Sequence, residues 1–178
     1  MGGRGKEKGE ERLEEEKRRK WRCEVSRDPV QLHIFNNFFL GNAYVLLRSI
    51  NGMIHGLNIV DNMFSGDASG VHIVQLDKWK QPFRSIKLVI VDRNEVYGGM
   101  EIKSTLAKVF LQGHGKRWSH DFSPVLLFHD RIRHVEYSLQ VDGSFPHHAL
   151  RNVSGNRIVI ESDTTVQAIV YISVDQSL

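Results

Sequence analysis

Cationic and aromatic side chains alternate in one short segment of the chain. Residues 78–87 read Lys-Trp-Lys-Gln-Pro-Phe-Arg-Ser-Ile-Lys, and smaller clusters follow near residues 117 and 132. Lysine and arginine neutralise phosphate, while aromatic rings stack on unpaired bases for about 1–3 kcal/mol per base. The pattern therefore favours binding of single-stranded nucleic acid, with a solvated loop between strands as an equally good interpretation. The candidate residues are Lys78, Trp79, Lys80, Arg84, Lys87, Lys116, Arg117, Arg131 and Arg133.

Histidines are numerous but do not form a metal-binding pattern. Six of the 9 lie between His114 and His148, and neither C-x-x-C nor H-E-x-x-H occurs. A zinc site needs ligands at such repeatable spacings, so no metal or other cofactor is predicted. The single cysteine, Cys23, cannot form an internal disulfide, which fits a reducing compartment.

Signatures of catalysis are also missing from the sequence. There is no G-x-S-x-G, P-loop or G-x-G-x-x-G motif. Asp92 follows an apolar run and could serve as a base, but an acid at a strand end is more often a turn former. We therefore expect no enzymatic activity and no catalytic residue. The alternative is a hydrolase of unknown class with a pocket around His120, Asp121 and His129.

Composition divides the chain into a tail and one domain. Residues 1–28 are rich in Lys, Arg and Glu and predict a charged tail, disordered or helical, whereas residues 29–178 have enough apolar residues for a single β-rich domain. No apolar run approaches the roughly 20 residues of a membrane span, and the N-terminus does not resemble a secretory signal. These features predict an intracellular protein that is not secreted.

Short runs rich in Val, Ile and Leu predict strands over most of the domain. These runs are Val30–Phe35, Val71–Leu76, Ser85–Val91, Val125–Phe128, Val135–Val141, Arg157–Glu161 and Thr165–Val174. Apolar residues at three- and four-residue intervals over residues 43–64 predict one helix. Met100, Leu106, Phe110 and the good helix formers around them predict a second helix between Glu95 and Gln112. Because strands and helices do not alternate regularly, we expect a mainly β (α+β) fold, an antiparallel jelly-roll-like sandwich with one or two helices.

The order of several landmarks resembles the core of the 30K-type movement proteins of plant viruses. An apolar strand ends in Asp92, and a helix, a glycine break, an aromatic-proline stretch at Pro124, a second acid at Asp130 and a closing strand follow. The resemblance implies that Asp92, Pro124 and Asp130 define the fold. It also implies a non-enzymatic protein that binds single-stranded RNA or ribonucleoprotein, associates peripherally with membranes and acts at plasmodesmata in cell-to-cell spread.

A second resemblance is to the matrix proteins of plant rhabdoviruses. A small basic protein, a charged tail and an early strand followed by a helix fit that family. This alternative implies a virion structural protein that self-assembles and bridges nucleocapsid and membrane. Both viral interpretations lead us to expect a homo-oligomer and host protein partners.

Overall fold

The computed structural model describes residues 22–25, 30–77 and 81–177, and within these ranges the chain forms β-strands and connecting loops. The described residues contain no helix that could cross a membrane. The strands are β1 (Arg22–Val25), β2 (Val30–Phe35), β3 (Phe38–Leu40), β4 (Tyr44–Arg48), β5 (Met53–Val60), β6 (Met63–Gly66), β7 (Val74–Asp77), β8 (Ser85–Asp92), β9 (Glu95–Gly98), β10 (Leu106–Asp121), β11 (His134–Val141), β12 (His148–Ser154) and β13 (Arg157–Asp175).

Strands β1–β9 wind into three successive coils, and each coil contributes one strand to each of three parallel sheets. Sheet A contains β1, β4 and β7, sheet B contains β2, β5 and β8, and sheet C contains β3, β6 and β9. All neighbouring strands are parallel and paired residue over residue. This arrangement is a three-sided parallel β-helix.

Aliphatic side chains of the three sheets fill the interior of this stack. Val45 lies over Val74 in sheet A, and Leu57 lies over Val89 in sheet B, all of them buried. In sheet C the Phe39 ring stacks on the Phe64 ring, with centroids 4.5 Å apart and planes within 5°. Burial of these stacked apolar surfaces is the main force that holds the coils together.

The corner between sheets B and C has the same left-handed backbone in every coil. Asn36, Asp61 and Arg93 follow the sheet B strands with φ angles of 54°, 55° and 51°. Asparagine and aspartate adopt this conformation more readily than most residues, whereas arginine does so at some steric cost. The repeated conformation turns each coil sharply into sheet C at the same height.

Asparagine side chains connect these corners from coil to coil, and those of Asn62 and Asn94 are buried. The Asn37 side-chain amide donates to Asn62 Oδ1 at 3.1 Å, and the Asn62 amide donates to Asn94 Oδ1 at 2.9 Å. The Asn62 amide also donates to the Ile34 and Val60 carbonyls, each at 3.0 Å. This asparagine ladder satisfies polar groups that are shielded from water and fixes the vertical register of the coils.

A stacked kink in sheet B explains why residues 43–64 were wrongly predicted to be a helix. Gly56 has φ +68°, and Leu88 beside it in the next coil has φ 52°. The kink breaks the two-residue alternation of β5, so Ile54 and Leu57 both point inward although they are three residues apart. A three-residue apolar spacing that is usual in helices therefore arises here within a strand.

The C-terminal part is a separate, antiparallel arrangement of four strands. Strand β13 is central and pairs with β10, β11 and β12. A register shift between Gly115 and Arg117 interrupts the pairing of β10 with β13. Inward residues on either side of this shift, including Trp118, Ile160 and Ile172, belong to one buried cluster. This part has its own apolar core.

A loop between β10 and β11 joins the two cores. Leu127 and Phe128 are buried in the cluster of the β-helix and cover the end of its third coil. The Phe128 carbonyl accepts hydrogen bonds from Gln176 Nε2 at 2.6 Å and Asn156 Nδ2 at 2.8 Å, both from the C-terminal part. The C-terminal part thereby caps the open end of the coil stack.

The mainly β class is confirmed, but the predicted antiparallel sandwich is wrong for β1–β9, whose strands pair in parallel. The helix predicted between Glu95 and Gln112 is also wrong, because β9 opens that region and β10, which begins at Leu106, alternates inward and outward residues. The segment Val125–Phe128 is a turn with one isolated bridge rather than a strand. The predicted tail is described only at β1, and its helical segment and the boundary near residue 28 lie outside the described residues.

Replacing Asn62 by alanine should lower the free energy of unfolding by about 3–4 kcal/mol, because it leaves several buried partners unsatisfied. Urea unfolding followed by circular dichroism measures this loss. The matched control is Asn58→Ala on the same strand, whose amide contacts only the exposed His33 ring among the described residues. That change should cost less than about 1 kcal/mol. Equal losses in the two variants would contradict the role of the ladder.

Candidate functional site

A cleft of about 470 Å³ lies where the third coil meets the C-terminal part. Its walls come from the connection into β7, from the segment after β9 and from the loops that cap the coil stack. The lining residues are Gly70, His72, Val74, Gln75, Leu76, Lys103, Ser123, Leu126, Leu127, His129 and Asn156. Clefts of this size between structural units are frequent binding sites.

The floor of the cleft is formed where the chain starts a fourth coil and then leaves it. The Glu101 amide donates to the Val71 carbonyl at 2.8 Å, and the Ile73 amide donates to the Glu101 carbonyl at 2.9 Å. Four residues later the Thr105 amide donates to the Val91 carbonyl of sheet B at 2.8 Å. Residues 101–105 therefore cross the end of the β-helix and carry Lys103 with them.

Lys103 provides a half-buried positive charge. Its Nζ donates to the carbonyls of Pro124 at 2.7 Å and Ser123 at 3.2 Å, which leaves one of its three protons without a described acceptor. Burial lowers the pKa of this ammonium group, although Glu101 opposes the effect. Among the described residues, no carboxylate lies within 4 Å of Lys103. Binding of an anion would compensate for the incomplete solvation of the charge.

Two histidines extend the polar lining of the cleft. His72 Nε2 lies 2.9 Å from Glu101 Oε2, and the Gln75 amide donates to the His72 carbonyl at 3.4 Å. His129 lies in the capping loop and is exposed. His129 can donate hydrogen bonds and adds positive charge when it is protonated, whereas the charge of a protonated His72 is balanced by the Glu101 carboxylate.

The chemistry of the lining suits an anionic ligand. It includes one lysine and two histidines but no aspartate or glutamate. Asparagine, glutamine and serine side chains add neutral hydrogen-bonding groups of the kind that hold sugar hydroxyls. The described residues contain no group of three histidine, cysteine, aspartate or glutamate side chains that could hold a metal ion. The cleft can therefore bind and orient an anion, and its lining contains no carboxylate pair for acid–base chemistry.

At the corner between sheets B and C, the carboxylates of Asp61 and Asp92 share one cation, Arg93. Arg93 Nε and Nη2 contact the two Asp61 oxygens at 2.7 and 2.9 Å, and Arg93 Nη1 lies 3.4 Å from Asp92. The hydrogen bond from Arg93 lowers the pKa of Asp61 and the same contact raises the pKa of Arg93. Because Asp61 is held in its charged form, it is a poor proton donor. The cluster connects coils two and three.

Six of the nine predicted nucleic-acid residues lie in the part of the chain that the structure describes. Lys78, Trp79 and Lys80 lie outside the described residues, and Arg84 and Lys87 are exposed near the start of β8. Of the later residues, Lys116 donates to the Asp163 carbonyl at 2.9 Å, and Arg117 lies 3.7 Å from Glu161.

Arg131 and the predicted landmark residues Pro124 and Asp130 make contacts within the fold. Arg131 is half-buried and donates to the Ile86 carbonyl at the edge of sheet B, and Arg133 is exposed. The Pro124 carbonyl holds Lys103, and Asp130 Oδ1 accepts from the Gly155 amide at 2.7 Å. These contacts stabilise the capping loops.

Only part of the predicted pocket is found in the cleft. His129 lines it, whereas Asp121 Oδ1 accepts from the Ser123 amide at 2.9 Å and His120 packs edge-on against Phe122. His72 and Lys103 were not predicted. No local pattern marks them, because strand stacking brings together residues about thirty and sixty positions apart in the chain.

The fold and cleft define a parallel β-helix with a cation-lined cleft at its capped end. The chain is 53% identical over 156 residues to polygalacturonase QRT3 of Arabidopsis thaliana. That alignment covers 86% of this chain and 32% of the relative, so the chain spans about a third of the length of the relative. No protein-family model matches the chain.

This similarity overturns the viral interpretations and what they implied. The 30K-type and matrix-protein resemblances are wrong, as are the prediction of a non-enzymatic protein and its RNA, ribonucleoprotein and membrane partners, because the relative is a plant enzyme. The predicted plasmodesmal, virion or otherwise intracellular location is wrong as well, because the relative is a polygalacturonase, a kind of enzyme that acts on plant cell walls. The landmarks misled because an apolar strand ending in Asp92 also describes a β-helix strand that enters a tight corner. The hydrolase alternative is the prediction that the comparison supports.

The Asp61 carboxyl should titrate below the ordinary aspartate value of 3.8 because of its hydrogen bond to Arg93. Its contribution to stability is therefore present above that value and is lost as the pH falls through the lowered pKa. Carbon-detected NMR of the carboxyl measures the midpoint. In Arg93→Gln the midpoint should rise, and an unchanged midpoint would show that the ion pair is not formed in solution.

Proposed function

We propose that the protein is a hydrolase that acts on polygalacturonate or a similar acidic polysaccharide. The observation that carries this proposal is its 53% identity to a polygalacturonase over 86% of the chain. An alignment of 156 residues is long enough to include most of the described coils and the capping part. It therefore supports a shared scaffold rather than a shared short motif.

The charge of the cleft supports an acidic substrate. Each unit of a galacturonate polymer carries a carboxylate, and Lys103 offers a proton that has no described acceptor. His72 and His129 line the same cleft and can hydrogen-bond to carboxylate or hydroxyl oxygens. A neutral polysaccharide would leave the desolvated ammonium group without a counter-charge.

In this proposal the described cleft contributes recognition. Glycoside hydrolysis ordinarily uses two carboxylates on either side of the scissile bond. The cleft lining contains none, so its task is to hold the sugar acid groups and orient the polymer. Because polygalacturonate occurs in plant cell walls, the proposal also places the protein outside the plasma membrane.

The direct test is the release of reducing ends from defined polymers. The protein should release them from polygalacturonate, release fewer from the fully methyl-esterified polymer, and release none from neutral galactan. No release from polygalacturonate would refute a polygalacturonate hydrolase, and equal release from galactan would refute recognition of the acid groups.

Lys103→Met should raise the KM for polygalacturonate about tenfold while kcat changes little, because a charge-assisted hydrogen bond to substrate is lost. Steady-state kinetics on polygalacturonate measures both constants. Lys87→Met is the matched control, since Lys87 is an exposed lysine on β8 that does not line the cleft. A KM that is unchanged in Lys103→Met would contradict the role of the cleft.

A further inference from the structure

The outer face of the C-terminal sheet presents an exposed aromatic pair. Phe110 on β10 is 71% exposed, although its chain neighbours on the inner face are packed in the core. It lies directly opposite Tyr171 on β13, and the two ring centroids are 4.9 Å apart with planes inclined by 50°. Ile169, 38% exposed, continues the apolar surface along β13. No described element covers this surface.

Polar side chains without described partners surround the pair. Lys108 and Gln112 lie on the same face as Phe110, two residues before and two residues after it. Each is therefore about 7 Å from Phe110 along the strand. Ser138 on β11 lies beside Tyr171, and Gln140 lies beside Ile169. None of these four side chains makes a hydrogen bond or ion pair with a described residue. They are free to contact a ligand that lies across the strands.

We propose that this outer face is a second binding surface for an acidic polysaccharide, separate from the cleft. A sugar ring would pack its C–H face on Phe110 and Tyr171, while Gln112, Gln140 and Ser138 would bond its hydroxyls and Lys108 would pair with a carboxylate. The identity of the ligand rests on the proposed function, and the surface itself rests on the geometry of the sheet.

The composition of the surface favours a polysaccharide over a protein partner. A protein interface usually buries a larger continuous apolar core. Here two aromatic rings are surrounded by side-chain amides, a hydroxyl and a lysine. This combination suits a ligand that has an apolar face, many hydroxyls and negative charge. The nearest described acid on the same cross-strand row as Lys108 is Glu136, which lies 3.4 Å from His134 rather than beside the lysine.

Affinity electrophoresis through gels that contain polygalacturonate tests this surface. Phe110→Ala and Tyr171→Ala should each weaken retention by the polymer about tenfold, and hydrolysis of trigalacturonate should be unchanged. Phe145→Ala is the matched control, because Phe145 is 76% exposed but lies in the loop between β11 and β12. Its retention should equal that of the unchanged protein.

Lys108→Gln separates the charge from the stacking. It should weaken retention by polygalacturonate and leave retention by the methyl-esterified polymer unchanged. Retention of Phe110→Ala at the unchanged level would overturn the inference, as would sedimentation showing that Phe110→Ala abolishes self-association, since the surface would then bind a second copy of the chain. The retention assay needs no hydrolysis, so a failure of the proposed activity is recognised independently by the absence of reducing ends.

Discussion

The hydrogen-bonded ladder of Asn37, Asn62 and Asn94 is the constraint on which the rest of the structure depends. Its members are separated by 25 and 32 residues, yet their side-chain amides contact one another directly. Coils of unequal length can therefore stack only if the extra residues leave the regular sheets elsewhere. They do so in the connection into sheet A, where residues 67–73 of the third coil are longer than residues 41–43 of the second. The ladder thus sets the register, and the loops absorb the differences.

The position of the cleft follows from this register. Because the third coil is held level, the connection that carries His72 emerges next to the start of an incomplete fourth coil at Glu101. The chain then crosses the end of the stack, places Lys103 against the capping loop and leaves its ammonium group half-buried. The C-terminal part closes the opposite wall through His129 and Asn156. A structural need, to cover the open end of the β-helix, creates the cleft that holds this half-buried charge.

The sequence alone was sufficient for many strands and insufficient for their arrangement. Val30–Phe35 and the region of β8 were predicted because branched apolar residues have a local signature. The coils were not predicted, since spacings of 25 and 32 residues conceal the repeat that identifies a solenoid. The kink at Gly56 imitated a helical period. Phe110 was predicted to lie in a helix, and its exposure could not be predicted because it depends on which face of β10 the C-terminal core covers.

The account's central claim is that stacking of the coils builds an anion-binding cleft between His72 and His129. The most direct test is NMR of the histidine imidazoles during titration with trigalacturonate, with His33 on the first coil as the internal reference. The account predicts saturable shifts of His72 and His129, no shift of His33, and no response to neutral galactotriose. Shifts confined to other histidines, or equal responses to the neutral sugar, would contradict it.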